Sequence, residues 1–286
     1  MGNLYPSGFD QTYFSASTWA ERVDQWIATH QDAGFSAGNA KVVRDVLRDL
    51  ETGLRMVVNI TAFSLYVVLK DNAYLNLYER PAIGGESREP SETRKHVDQM
   101  LGLGVRTYFG AAALGGAGVR YYGEYCMVLT LDQVAGRARL LDRDSFDIEL
   151  EPLKSLPLTP ERLAVLRGDW DADRIEMAVL RVLLELGHDL RLVTSGTVSD
   201  TVLRDQEFIE VHLEGSFAPR EVEEVRESPD ETAIEMSLRN RRERAIPLTQ
   251  TEQDWLLRRS WISEHLASYG IRHRIVTLHG RGYQWK

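Results

Sequence analysis

An α+β fold is what this chain predicts, with helices at the N-terminus and inserted again around residues 155–190. Three observations carry that expectation. Apolar residues recur at helical spacing in the first fifty residues and over 171–187. Apolar runs of strand length, RMVVNIT, YCMVLTL and EFIEVHLEG, lie between and after those helices. The composition is that of an ordinary globular protein, 286 residues with 43% hydrophobic and 27% charged. A chain of that length buries roughly three quarters of its unfolded surface and needs no disulfide or metal staple.

Taken in order, Ser17-Thr18 precede WAERVDQWIATH, where Trp19, Val23, Trp26 and Ile27 share one helical face. AGFSAGNA reads as a break, and KVVRDVLRDLETGL as a second helix with Gly53 as its C-cap. RMVVNIT is a buried strand, followed by a helix, AFSLYVVLKDNAYL, with Leu65, Val68 and Leu69 facing in. Segment 79–96 has two Pro, two Gly and eight charged residues, the composition of a mobile surface loop. From 105 the chain reads as strand and turn: YCMVLTL is a buried strand, RARLLD a short one, DRDSFDIEL another. LTPERLAVL starts a helix near Pro160. DADRIEMAVLRVLLELG follows as the clearest helix, capped by Asp171 or Asp173 and ended by Gly187. EFIEVHLEG places Phe208, Glu210, His212 and Glu214 on one face and Ile209, Val211 and Leu213 on the other. EVEEVRES continues as strand, and RNRRER (239–244) reads as a solvated loop. The tail gives a helix, TEQDWLLRRSWISEHLASYG, closed by Gly270, and a last strand, IRHRIVTLHGRGYQW. The expected division is a helical segment over 1–53 and an α+β domain over 54–286 with the helical insertion inside it.

The net charge of −9 speaks against a general nucleic-acid coat. The single cysteine, Cys126, cannot form an intramolecular disulfide, and its apolar run predicts a buried, inert thiol. The N-terminus has neither a basic n-region nor an apolar h-region. The longest apolar stretch, 56–69, is shorter than a membrane span and contains Asn59. A soluble, cytoplasmic protein without a membrane partner is expected.

Chemistry concentrates in two places. Glu210, His212 and Glu214 share one strand face, where a solvated face would normally mix in Thr, Ser, Lys or Arg. Close carboxylates raise one another's pKa and suit proton transfer or stabilisation of a developing cation. The bland alternative is a solvated face. Tyr108, Phe109, Tyr121, Tyr122 and Tyr125 surround the glycines 115, 116 and 118, an arrangement that sandwiches a flat ring or forms an aromatic core beside a long hairpin. No Gly-Lys-Ser/Thr follows, so this is not a Walker loop. Arg55, Arg80, Arg106 and Arg120 flank these strands as candidate pyrophosphate partners. His212, Glu210, Glu214 and His279 contain metal-ligand types without metal-site spacing, and Ser195 lacks a GxSxG elbow.

Three segments, in chain order, resemble the ADP-ribosyltransferase superfamily. They are RMVVNIT with LYVVLKDNAYLN, then YYGEYCMVLTLDQVAGRARLLDRDSFDI, then FIEVHLEGSF with EVEEV, together about half of the chain. The resemblance implies split antiparallel β-sheets and NAD as a substrate, with ADP-ribose passed to a macromolecular acceptor. It implies a bacterial or phage toxin or antiviral defence effector, with an antitoxin or defence-complex partner. By position, Glu210 would be the catalytic glutamate and His212 a neighbour that helps choose the acceptor. Arg55 and the turn at Thr61 would grip NAD, Tyr108, Tyr121 or Tyr122 would stack on nicotinamide, and Ser145 stands nearest the family's Ser-Thr-Ser element. Asn59 stands where some branches place His. The competing expectation is a non-catalytic interaction or sensor protein of a defence assembly on the same scaffold.

Overall fold

The computed structural model describes residues 18–30, 32–49, 53–76, 78–79, 90–145, 160–186, 195–203 and 208–276. Eight strands are β1 (Arg55–Ile60), β2 (Thr107–Ala113), β3 (Tyr125–Leu129), β4 (Ala138–Leu141), β5 (Arg167–Asp169), β6 (Glu210–Glu214), β7 (Val222–Glu227) and β8 (Arg272–Ile275). They form one open sheet in the order β5-β4-β6-β2-β1-β3-β7-β8. Every neighbouring pair is antiparallel except β7 with β8. Ten α-helices accompany it among the described residues: α1 (Trp19–Thr29), α2 (Ala33–Leu47), α3 (Ala62–Asp71), α4 (Glu92–Met100), α5 (Leu131–Val134), α6 (Pro160–Leu166), α7 (Trp170–Leu186), α8 (Ser195–Val202), α9 (Pro229–Glu243) and α10 (Gln250–Ser268).

The period-two pleat divides the strands between two apolar clusters. Met56, Val58, Ile60, Ala112, Met127, Leu129, Val211, Leu213 and Val225 join the large core. The same core takes Trp19, Val23 and Trp26 of α1, Val43 of α2, Leu65 and Leu69 of α3, Val179 and Leu183 of α7 and Ile262 of α10. Val57, Ala111, Ala113, Cys126 and Val128 face the other way, into a small cluster with Leu203 and Phe208. Each fully buried Leu or Val side chain contributes roughly 1.5–3 kcal/mol, so the first cluster dominates stability and the second leaves its face open to polar groups.

The strands do not separate into two sheets, because β1 and β2 still pair at one end. That pairing covers only Arg55–Val57 against Ala113–Ala111. Beyond it, β1 continues on β3 through Ile60 while β2 continues on β6 down to Thr107. The two central strands therefore fork. At the apex a Cβ on Gly110 would lie 2.5 Å from the Val57 carbonyl oxygen, so only glycine permits this approach.

Local signals explain most helices. Thr18 and Glu21 form a capping box on α1, Thr61 caps α3, and Thr249 with Glu252 caps α10. Each such cap is worth about 1 kcal/mol. The C-terminus of α10 runs into Gly270 at φ 70°, as its sequence predicts.

Six local expectations are corrected. AGFSAGNA is not a break: α2 begins at Ala33, because Ser36 and Ala40 are buried and packing outweighs the glycine cost of ~1 kcal/mol each. Gly53 is not its C-cap; a Cβ there would sit 2.1 Å from the Asp49 carbonyl, so it serves a tight turn. Residues 92–96 are helical, started by Ser91, whose hydroxyl accepts the Arg94 N–H. The carboxylate capping α7 is Asp169, which accepts the N–H groups of Asp171 and Ala172 at 2.9 and 3.2 Å. Residues 142–145 are not strand, and RNRRER belongs mostly to α9, which Ser228 and Pro229 initiate. Residues 80–89, Gly187, DLRLVT before Ser195 and the tail after Val276 lie outside the described residues. Among the described residues no helix is long and apolar enough to cross a membrane.

Candidate functional site

The fork between β1 and β2 opens a cavity of ≈ 550 Å³, within the range that holds nucleotide-sized ligands. Val58, Asn59, Ile60 and Thr61 line one side, Phe109, Gly110 and Ala111 the other, and Glu210 reaches it from β6. Phe63, Tyr74, Tyr122 and Phe208 add aromatic walls, and Arg94 of α4 adds a cation. Across the fork the facing backbone edges of Val58–Ile60 and Tyr108–Gly110 have no ladder partner in each other, which leaves polar backbone beside apolar rings.

Glu210 is the centre of the polar set. It is only 4% exposed, yet its Oε2 accepts the Ser145 N–H at 2.6 Å and lies 3.6 Å from His212 Nε2. Burial opposes its ionisation, but His212, Arg94 and the Ser145 N–H outweigh burial and hold the carboxyl below the ordinary range. Arg94 stacks 4.0 Å over the Phe109 ring, donates to Ser145 Oγ at 2.7 Å and pairs with Asp98 at 2.5 Å. Ser145 is placed by the turn after β4, where Arg181 of α7 donates to Asp142 Oδ1 at 2.9 Å. Tyr122 donates its hydroxyl to Asp144 Oδ2 at 3.1 Å, and burial beside Asp144 and Glu210 raises its phenol well above the ordinary range.

Asn59 organises the glycine loop. Its Nδ2 donates to the carbonyls of Ala117 and Gly123 at 2.9 and 3.1 Å, and its Oδ1 accepts the Val119 N–H at 2.8 Å. Three bonds on one amide leave it a clamp for residues 117–123. Gly118, at φ +65°, is required beneath it, since a Cβ there would lie 2.2 Å from Asn59 Oδ1. Gly118→Ala is therefore expected to destabilise the protein by more than about 1 kcal/mol, measured by denaturant unfolding. Cys126, whose Sγ is 2.8 Å from the same hypothetical Cβ, is fully buried as its apolar run predicts, and burial pushes its thiol up to about 12.

Of the residues named from sequence, Glu210, Thr61 and Tyr122 line the cavity. Ser145 and His212 stand directly behind Glu210. Arg55, Tyr108 and Tyr121 are not brought there. Arg55 lies at the paired end of the fork, 3.8 Å from Glu223. Tyr108 points into the large core between Tyr74 and Phe217, because alternation gives the cavity face to Phe109. Tyr121 is 69% exposed. Thr61 spends its hydroxyl on the α3 cap, accepting the Ser64 N–H at 3.2 Å. Arg94 was missed because its segment has loop composition; Ser91, Glu92 and the Arg94–Asp98 spacing are the signals that find this helix. Among the described residues no group of three or more His, Cys, Asp or Glu is placed to hold a metal ion. No family model, curated protein or solved structure matches the chain.

Proposed function

We propose that this chain is an NAD-using, ADP-ribosyltransferase-like enzyme that passes ADP-ribose to a macromolecular acceptor, with Glu210 as its catalytic carboxylate. The observation that carries the reading is a buried glutamate at the wall of a forked, aromatic-lined cavity, its carboxyl held between the Ser145 N–H and the His212 ring. As the bond between ribose and nicotinamide breaks, positive charge builds on the sugar while neutral nicotinamide leaves. A fixed anion in a water-poor site lowers that barrier most. Phe109, Phe208 and Tyr122 offer flat faces for the nicotinamide ring.

The phosphates need a cation that is not already spent. Arg94 is paired with Asp98. Arg258 of α10 lies 5.4 Å over the ring of Phe63, a cavity wall, and has no ion pair among the described residues. Arg258→Ala is expected to raise KM for NAD about tenfold with kcat little changed, the pattern of lost ground-state binding.

The experiment is incubation of the purified protein with NAD, following nicotinamide by chromatography. Nicotinamide release supports the reading; NAD that neither binds nor turns over ends it. A second reading, a sensor or interaction protein on this scaffold, is favoured by Asn59, whose amide is committed to the loop rather than to a ligand. It expects NAD to bind without nicotinamide release.

A further inference from the structure

We infer that His212 is the positioning residue of this site: its imidazolium, buried behind Glu210, keeps that carboxylate charged in surroundings that would otherwise neutralise it. The catalytic consequence rests on the reading just proposed, whereas the coupling of the two side chains rests on geometry.

His212 is 3% exposed, and neither ring nitrogen has a hydrogen-bond partner among the described residues. An orphaned buried imidazole needs a reason to be there. Its Nε2 stands 3.6 Å from Glu210 Oε2, too long for a hydrogen bond and close enough for a strong charge–charge attraction.

Charged groups approach the pair from each neighbouring element. On β2, opposite His212, stands Phe109, uncharged and edge-on with ring centroids 5.4 Å apart. On α4, beyond that ring, Arg94 is paired with Asp98 at 2.5 Å. On β4, Arg139 lies opposite His212 in register and is paired with Asp169 of β5. On β6 itself the other ionisable side chain is Glu214, which is exposed at the strand end. The turn after β4 gives Glu210 a neutral N–H from Ser145 and also carries buried Arg143 and Asp144, the latter accepting the hydroxyl of Tyr122, which faces Glu210 as a neutral phenol. Arg139 and Arg94 thus each have a carboxylate of their own, Arg94 adding its charge to the attraction on Glu210, and the basic side chain standing directly against the Glu210 carboxylate is His212, at 3.6 Å. A buried charge stripped of its partner is strongly unfavourable, so removing the imidazolium drives Glu210 towards its protonated form.

The sign follows. With His212 charged, Glu210 stays ionised down to low pH. With a neutral residue at 212, Glu210 takes up its proton at higher pH, and an uncharged acid cannot stabilise a sugar cation.

The test is carboxyl-¹³C NMR of glutamate-labelled protein across pH, with the Glu210 signal assigned by Glu210→Gln. In His212→Gln the Glu210 midpoint is expected to rise by at least one pH unit, and the acid limb of nicotinamide release to rise with it. His212→Lys, which restores a positive charge, returns the midpoint most of the way. Amide NMR spectra check that each variant is folded, and ring-¹⁵N shifts of wild-type His212 at pH 7 give its charge directly if both variants unfold. A Glu210 midpoint that does not move in folded His212→Gln, or a neutral His212 ring at pH 7, overturns the inference. Absence of NAD turnover in the wild type leaves the NMR result standing and overturns the enzymatic reading instead.

Discussion

On the proposed reading, replacing Glu210 with Gln is expected to lower kcat for nicotinamide release by about 10²–10³-fold, with KM for NAD nearly unchanged. Gln keeps the shape and can still accept the Ser145 N–H, which Glu210 now takes at 2.6 Å. What it loses is the charge, and that charge matters most when positive charge appears on the sugar. An interaction lost only in the transition state lowers kcat and kcat/KM together. Steady-state kinetics at a pH well above the acid limb, with circular dichroism and a melting curve beside them, checks the prediction. Unchanged turnover in a folded Glu210→Gln removes Glu210 from the chemistry.

The second large effect is on stability, at the other end of the sheet. Arg259 of α10 is 4% exposed, donates to the fully buried Glu227 of β7 and donates through Nε to Glu235 of α9 at 2.8 Å. His273 of β8 reaches the second oxygen of Glu227 at 3.1 Å. One guanidinium thus ties two helices to β7, the strand next to the sheet edge. Arg259→Ala leaves Glu227 a buried carboxylate without its main partner, at a cost of ~3–5 kcal/mol. For a chain of this size that lowers Tm by roughly 10 °C, readable by calorimetry. The pH dependence has a definite sign. Burial opposes ionisation of Glu235, but its bonds to Arg259 and Arg239 outweigh it and hold its carboxyl below the ordinary 4.5. Burial likewise opposes ionisation of Glu224, and Arg226 and Arg274 outweigh it in the same direction. Their stabilisation is complete above that ordinary value and is lost as pH falls through the depressed folded values. Acid should therefore destabilise the wild type progressively below about pH 4.5, and Arg259→Ala, lacking part of the network, should show a shallower acid dependence.

Sequence periodicity went far with the framework. The alternation of EFIEVHLEG sends Val211 and Leu213 into the large core and leaves Glu210 and His212 on the opposite face. The apolar run of YCMVLTL matches a strand whose five residues are all buried. α1, α3, α7 and α10 were legible because their apolar stripes and caps lie within a few residues of each other. α4 and α9 were not, because their helical pattern is written in charges, and charge-rich segments resemble loops until a partner is known.

The candidate site divides along the same line. The sequence by itself determined which strand carries the carboxylate, that His212 accompanies it on one face and that aromatic residues and glycines cluster near residue 110. Only the tertiary structure decided that β1 and β2 part after three paired residues, that Phe109 rather than Tyr108 meets the cavity and that Arg94 and Ser145 arrive beside Glu210 from distant segments. The reason is range: backbone periodicity is set by neighbours a few residues away, whereas a fork and a buried charge pair depend on how strands far apart in the chain come to lie side by side.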